Sequence, residues 1–213
     1  MKANCAGHRL PRRFFNRPTL TVARELLGKR LVKMEDRNVR LSGIINETEA
    51  YIGTDDLGCH ARAGETKRNA AMWGEPGHCY VYFTYGMHWM LNFVCEAAGF
   101  PAAVLIRGIT PQESLSLMRQ RRKRPTNREL TDGPAKLCQA LAIDRSFDGY
   151  DLCQSTSSLF VEEVNLDRRF TVTVGPRVGL NNVPEPWKSI PWRFRISLEK
   201  QDVTNDKRTR RNE

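Results

Sequence analysis

The chain has 213 residues, enough for one domain with a real core or at most two small ones. Its formal net charge is +10 and its isoelectric point about 9.6. That balance points to a polyanionic partner, since each Lys or Arg meeting a phosphate releases a counterion; a merely soluble or ribosome-associated basic protein is the plain alternative. No run of about 18 apolar residues occurs, which excludes a membrane-spanning helix. Met1-Lys2-Ala3-Asn4-Cys5 has no apolar signal core, so no secretory route is expected. Cys5, Cys59, Cys79, Cys95, Cys138 and Cys153 show no regular spacing and are expected to be reduced. The expected compartment is the cytoplasm (nucleoid) of a bacterium or the nucleus of a eukaryote, and the expected state a monomer.

In chain order, Leu20–Leu27 reads as a short helix, with Thr21 as N-cap and Gly28 as its stop. Arg30–Lys33 and Leu41–Tyr51 read as strands. Ile52–Gly77 is long, rich in Gly, Asp and Arg, and without periodicity; a loop of that length in a compact domain is usually functional. Strands follow at Cys79–Thr84, His88–Val94 and Ala102–Gly108. Pro111 is expected to open a helix reaching Arg122, and Asp132-Gly133-Pro134 another reaching Leu141. Later strands are expected at Ser158–Glu162, Thr171–Val174 and Arg193–Ile196. Strands interrupted by helices without a βαβ rhythm argue for an α+β domain. The expected architecture is a single compact domain over 1–199, with a curved, mainly antiparallel sheet flanked by helices and a protruding tyrosine-bearing β-hairpin. Residues 200–213 read as a disordered basic tail. The run Arg119–Arg128 holds six basic residues and no acid, and reads as a phosphate contact rather than a solvated loop.

Two segments carry the chemistry. Ile45-Asn46-Glu47-Thr48-Glu49-Ala50-Tyr51 reads as a strand, so Glu47, Glu49 and Tyr51 share one face. A lone Glu on a strand is usually an ion-pair partner. With Tyr51 beside it and Arg107 at the end of an apolar strand, a Glu can instead stay ionised and act as a base on water. The second segment, Tyr80-Val81-Tyr82-Phe83-Thr84-Tyr85-Gly86-Met87, is a tyrosine-rich strand entering a glycine turn, with Tyr85 at a hairpin tip. A carboxylate beside aromatic rings suits a planar ligand, and an aromatic at the tip of a basic protein suits a wedge between bases. His60 follows Cys59 and His78 precedes Cys79, but neither spacing fits a zinc site, so no metal is expected. The turn before Lys136 could offer helix amides and that lysine to a phosphate, or could simply be a capped helix. The four tryptophans read as packing residues. No phosphate-binding glycine loop, dinucleotide fingerprint or serine-hydrolase elbow occurs.

Together, Glu47-Thr48-Glu49-Ala50-Tyr51, the His60…Arg62…Arg68-Asn69 loop, Tyr80-Val81-Tyr82…Tyr85-Gly86-Met87…Asn92, Leu105-Ile106-Arg107, Gly133–Leu141 and Pro176-Arg177-Val178-Gly179 resemble the alkyladenine (3-methyladenine, methylpurine) DNA glycosylase family, in order and spacing from about Leu10 to Leu198. The resemblance implies cofactor-free, metal-free, monofunctional hydrolysis that excises 3-methyladenine, 7-methylguanine, hypoxanthine or ethenoadenine from duplex DNA. It implies Glu49 as the base that activates water, with Arg107 and the Val178 carbonyl holding that water. It implies Tyr51 and His60 sandwiching the flipped base against Tyr82, with Asn92 screening out guanine. Tyr85 is implied as the wedge, with Met87 beside it, and Arg62, Arg68 and Lys136 are candidate phosphate contacts. His88, Trp89, Cys59 and the loop around Glu75 depart from the family pattern and bear on substrate range. Two other classes stay open at this point: a non-catalytic nucleic-acid-binding module, and a formyltransferase-like tRNA-binding domain.

Overall fold

The computed structural model describes residues 7–36, 39–123, 129–164 and 170–198. Within them lie β1 (Arg30–Met34), β2 (Arg40–Ile52), β3 (Cys79–Thr84), β4 (His88–Val94), β5 (Ala102–Glu113), β6 (Leu159–Glu162), β7 (Phe170–Gly175) and β8 (Arg193–Leu198). All pairings among them are antiparallel, in the order β3-β4-β5-β2-β1-β6, with β8 joining β2 and β7 pairing β8. The 13-residue β2 is the hub. One edge pairs with β5 from Ser42 to Ile52. The other pairs with β1 over residues 40–44 and with β8 over 47–49. A strand that changes partner along one edge makes the sheet branch and curl, and the register shifts around Ile45–Thr48 mark where it does so. Glu47 sits within that irregularity and Glu49 just beyond it.

Four helices accompany the sheet: α1 (Arg12–Phe15), α2 (Thr19–Glu25), α3 (Leu115–Arg122) and α4 (Pro134–Leu141). The main core joins Val22 and Ala23 of α2 and Leu26 at its C-cap, Leu137 and Leu141 of α4, and the inward faces of β2, β4 and β5 through Ile45, Phe93 and Ile106. Each such side chain contributes about 1.5–3 kcal/mol when fully removed from water. The result is a single α+β domain built on a curled antiparallel sheet. No helix among the described residues is long and apolar enough to cross a membrane. Cys59, Cys79, Cys95, Cys138 and Cys153 are free thiols; Cys5 lies outside the described residues.

Three sequence expectations are corrected. The first long helix starts at Thr19, after Pro18, and Thr21 lies inside it. Its cap comes from far along the chain, because the Glu96 carboxylate accepts from the Thr19 amide and hydroxyl. Pro111 does not open a helix. It lies in β5, which follows β2 as far as Ser42↔Glu113, with a register shift at Gly43 accommodating a residue that cannot donate. The helix begins only at Leu115, after Ser114 turns the chain through a positive φ of 56°. Arg107 is therefore mid-strand, not terminal. The Asp132-Gly133-Pro134 turn does open α4, with Gly133 at the cap position and Asp132 accepting from Lys136 at 2.9 Å. Of the basic run, Arg119, Arg121 and Arg122 lie on α3, where Arg121 is paired with Glu35 at 2.7 Å; Arg124 and Arg128 lie outside the described residues, as does the tail.

Candidate active site

The site lies where β2, β3, β4 and β5 face the Ile52–Gly77 loop and the segment after β7. A cavity of about 300 Å³ opens there, lined by Tyr51, His60, Tyr80, Tyr82, Asn92, Arg107 and Val178 among others. Tyr85 stands on its rim. That volume suits one planar purine-sized group.

Glu49 lies beneath the cavity with 0% of its surface exposed. An isolated carboxylate there would be costly, so its partners decide its state. The Val178 amide donates to Oε1 at 2.7 Å, and the Tyr51 hydroxyl to Oε2 at 2.9 Å. Arg107 approaches at 3.4 Å, and is itself held by Glu47 at 2.8 Å. Burial raises the Glu49 pKa above the usual carboxylate value, while Arg107, the Val178 amide and the Tyr51 hydroxyl pull it back down. A base-strengthened carboxylate kept in a polar socket is the arrangement expected of a group that takes a proton from water. Glu47 shares the face of Glu49, as the strand period requires, but does different work. Its Oε1 accepts from Arg107 and from Arg193, at 2.8 and 2.7 Å, and Arg195 lies 3.7 Å from Oε2.

The aromatic wall is assembled by β3 and the loop. The His60 and Tyr82 rings meet edge to face with centroids 4.5 Å apart. No base fits between those two rings, and Tyr51 lines the same cavity. His60 Nδ1 is hydrogen-bonded to the Tyr80 hydroxyl at 2.8 Å. Partial burial of the ring, then Arg68 and Arg62, lower its pKa to about 4, so the imidazole is neutral at physiological pH. Asn92, opposite Tyr80 in the hairpin, donates to the Tyr80 carbonyl at 3.0 Å.

β3 and β4 form a hairpin closed by Tyr85-Gly86-Met87, with the Met87 amide donating to Thr84 at 3.2 Å. Tyr85 is 82% exposed and Met87 67%. Tyr85 has a φ of 52°, a left-handed conformation that a bulky aromatic rarely adopts. Phe83 and Trp89 pack together beneath, with centroids 4.7 Å apart. Among the candidate phosphate contacts, Arg62 and Arg68 are exposed, and their guanidiniums reach the Leu57 and Phe83 carbonyls. Lys136 is half-buried and paired with Asp132.

Three supports escaped the sequence reading. Tyr80 anchors His60. Buried Asn69 donates to the His60 and Gly64 carbonyls at 3.0 and 3.1 Å and accepts from the Thr66 amide, which shapes the loop. Arg177 pairs with Asp56 beneath Tyr51. No three His, Cys, Asp or Glu side chains among the described residues are grouped to hold a metal ion. Excision is accordingly expected to survive a strong chelator; loss of release that zinc restores would overturn that expectation.

A buried carboxylate beneath an aromatic-lined cavity, in a basic protein with an exposed aromatic hairpin, suits an enzyme that acts on a base of a nucleic acid. The comparisons agree. Residues 13–200 match the family model for methylpurine-DNA glycosylase (MPG). A protein of Methanocella arvoryzae named "Putative 3-methyladenine DNA glycosylase" is 46% identical over 186 residues, covering 87% of this chain and 90% of the relative. Proteins of the same name from Desulfitobacterium hafniense and Chlorobaculum parvum are 45% and 42% identical, each over 87% of this chain and over 94% and 86% of the relative. The chain belongs to the methylpurine-DNA glycosylase family, hydrolases of N-glycosyl bonds in DNA.

Proposed function

We propose that this alkylpurine DNA glycosylase extrudes a damaged purine from duplex DNA into the slot beside Tyr51 and hydrolyses its N-glycosyl bond. The observation that carries this reading is the fully buried Glu49, socketed by Val178, Tyr51 and Arg107 beneath the cavity that those three residues line. In this reading Glu49 takes a proton from the attacking water. Arg107 and the Val178 carbonyl hold that water, while the Val178 amide holds the base. Tyr51 stacks on one face of the purine, with His60 and Tyr82 on the other. Asn92 crowds the exocyclic amine that distinguishes guanine. Tyr85, with Met87, fills the gap left in the stack. No lysine among the described residues lines the cavity, which supports direct hydrolysis by water rather than a Schiff base on the enzyme. Leaving bases that are cationic or electron-poor need little further help, so 3-methyladenine, 7-methylguanine, hypoxanthine and ethenoadenine are the substrates expected. The neutral His60 suits stacking on such bases better than an imidazolium would.

Single-turnover release from duplexes carrying each of these bases tests the proposal. Release of at least one is expected; tight binding of all of them without release would return the chain to the binding-module class. Arg62 and Arg68, with the wider basic surface, are the proposed phosphate contacts, and Lys136 would have to leave Asp132 to join them. If about five phosphates are neutralised, the log–log salt slope for binding undamaged duplex should lie near −4 to −5. A flat salt response would show that the positive charge is not used on DNA.

A further inference from the structure

Beneath Tyr51 lies an ion pair that the excision steps above do not use. Arg177 and Asp56 are both 0% exposed, and the guanidinium engages both carboxylate oxygens, at 2.5 and 2.7 Å. Asp56 is otherwise satisfied by the Ile52 and Gly58 amides at 3.2 and 2.9 Å, so it ties the end of β2 to the start of the long loop. The loop is pressed against the guanidinium: a Cβ on Gly58 would lie 2.8 Å from Arg177 Nη2. Arg177 also donates to the Ala50 carbonyl at 3.0 Å, and the Ala50 amide donates to Trp192 at 2.9 Å. The guanidinium lies 4.7 Å from the centroid of the Tyr51 ring and 5.1 Å from that of Trp192.

Each of these contacts adjoins a group already placed in the site. Ala50 is the residue between Glu49 and Tyr51. Val178, whose amide holds Glu49 Oε1, follows Arg177 directly. We infer that Arg177 and Asp56 are a positioning pair that sets the Val178 amide on Glu49 and backs the ring of Tyr51, so that base and water meet at the reacting distance. The inference rests on the reading of Glu49 as the water-activating base. Stability alone does not account for the pair. A buried ion pair can often be exchanged for apolar side chains of similar volume at little cost, and Arg177 Nε has no acceptor among the described residues, which is itself unfavourable. What an apolar pair cannot supply is the hydrogen bond to Ala50 and a cation on the outer face of Tyr51.

The test compares Arg177→Lys and the double variant Asp56→Leu/Arg177→Met with the parent, using full-length protein and Glu49→Gln as control. The double variant is expected to melt cooperatively near the parent temperature while single-turnover excision falls about 10-fold or more, since a misplacement of about 1 Å can cost up to 10²-fold. The acid limb of the pH profile should move to higher pH, because a loosened Val178 amide no longer lowers the affinity of Glu49 for a proton. The other groups facing Glu49 are unchanged in these variants: Arg107 from β5, Glu47 and Tyr51 from β2, and Tyr82 from β3. Arg177→Lys, which keeps the charge, should recover part of the rate and of the limb. A folded double variant with the parent rate and the parent limb overturns the inference, as does a rate loss that only tracks loss of folded protein with the limb unmoved. Should the double variant not fold, the limb of Arg177→Lys decides in the same way. Excision by Glu49→Gln would remove the reading of Glu49 itself; an inactive Glu49→Gln beside clasp variants of parent rate and limb would remove only the role of the pair.

Discussion

Glu49→Gln is expected to lose about 10²-fold or more of single-turnover excision while keeping its affinity for DNA. Glutamine fills the same volume, and its carbonyl oxygen can still accept from the Val178 amide. It cannot take a proton from water. Arg107 does not become an orphaned charge in this variant, because Glu47 still accepts from its Nε at 2.8 Å. Glu47→Gln should be much milder, since Glu47 serves as the acceptor shared by Arg107 and Arg193, with Arg195 as an ion-pair neighbour. The pH dependence supplies an independent check. If Glu49 is the base proposed above, excision needs it ionised, and burial raises its pKa in the folded protein. Wild-type excision should therefore fall as pH drops through a value above that of an ordinary glutamate, and stay high above it. Release by Glu49→Gln within a few-fold of wild type would remove Glu49 from the role of base.

The parts of this site that follow local periodicity were legible in the sequence. A period of two put Glu47, Glu49 and Tyr51 on one face, and all three converge near Arg107. The hairpin could be read the same way, because Tyr85-Gly86 interrupts two strands whose alternation is clear; β3 and β4 span the expected residues. What could not be read depends on contacts between distant residues. Glu96 caps a helix 77 residues away. Arg177 stands in the Pro176-Arg177-Val178-Gly179 motif, but Asp56 lies 121 residues away and nothing local pairs the two. The extension of β5 past Pro111 was hidden for a related reason: a proline argues locally for a helix start, and only pairing with the long β2 overrides it. The Val178 contact shows the same limit in miniature. A backbone amide carries no side-chain signature, so its bond to Glu49 appears only once the fold brings the two together.

Tyr85→Ser is expected to leave the fold intact and to reduce extrusion of the damaged base by the stacking energy the ring replaces, on the order of 1–3 kcal/mol. That corresponds to roughly 5- to 150-fold in the extrusion equilibrium. The fold should survive because the ring is 82% exposed and the turn is held by its own backbone, with Gly86 also at positive φ. A tyrosine kept at a φ of 52° is costly by the standards of turn residues, and Asn or Gly would sit there more easily. An exposed aromatic in a strained position needs a use outside the folded chain, and an opened base stack offers one. The loss should be greatest for a lesion in a fully paired duplex, where the whole stacking energy must be replaced. It should shrink when the lesion is mispaired or already unstacked. Tyr51→Ala should behave otherwise, reducing release in both contexts alike, because it removes one face of the slot after the base has arrived. Release measured for paired and unpaired lesions in both variants separates the two roles. Equal losses in the two contexts for Tyr85→Ser would take it out of the stack and leave it as a cover for its neighbours on the hairpin.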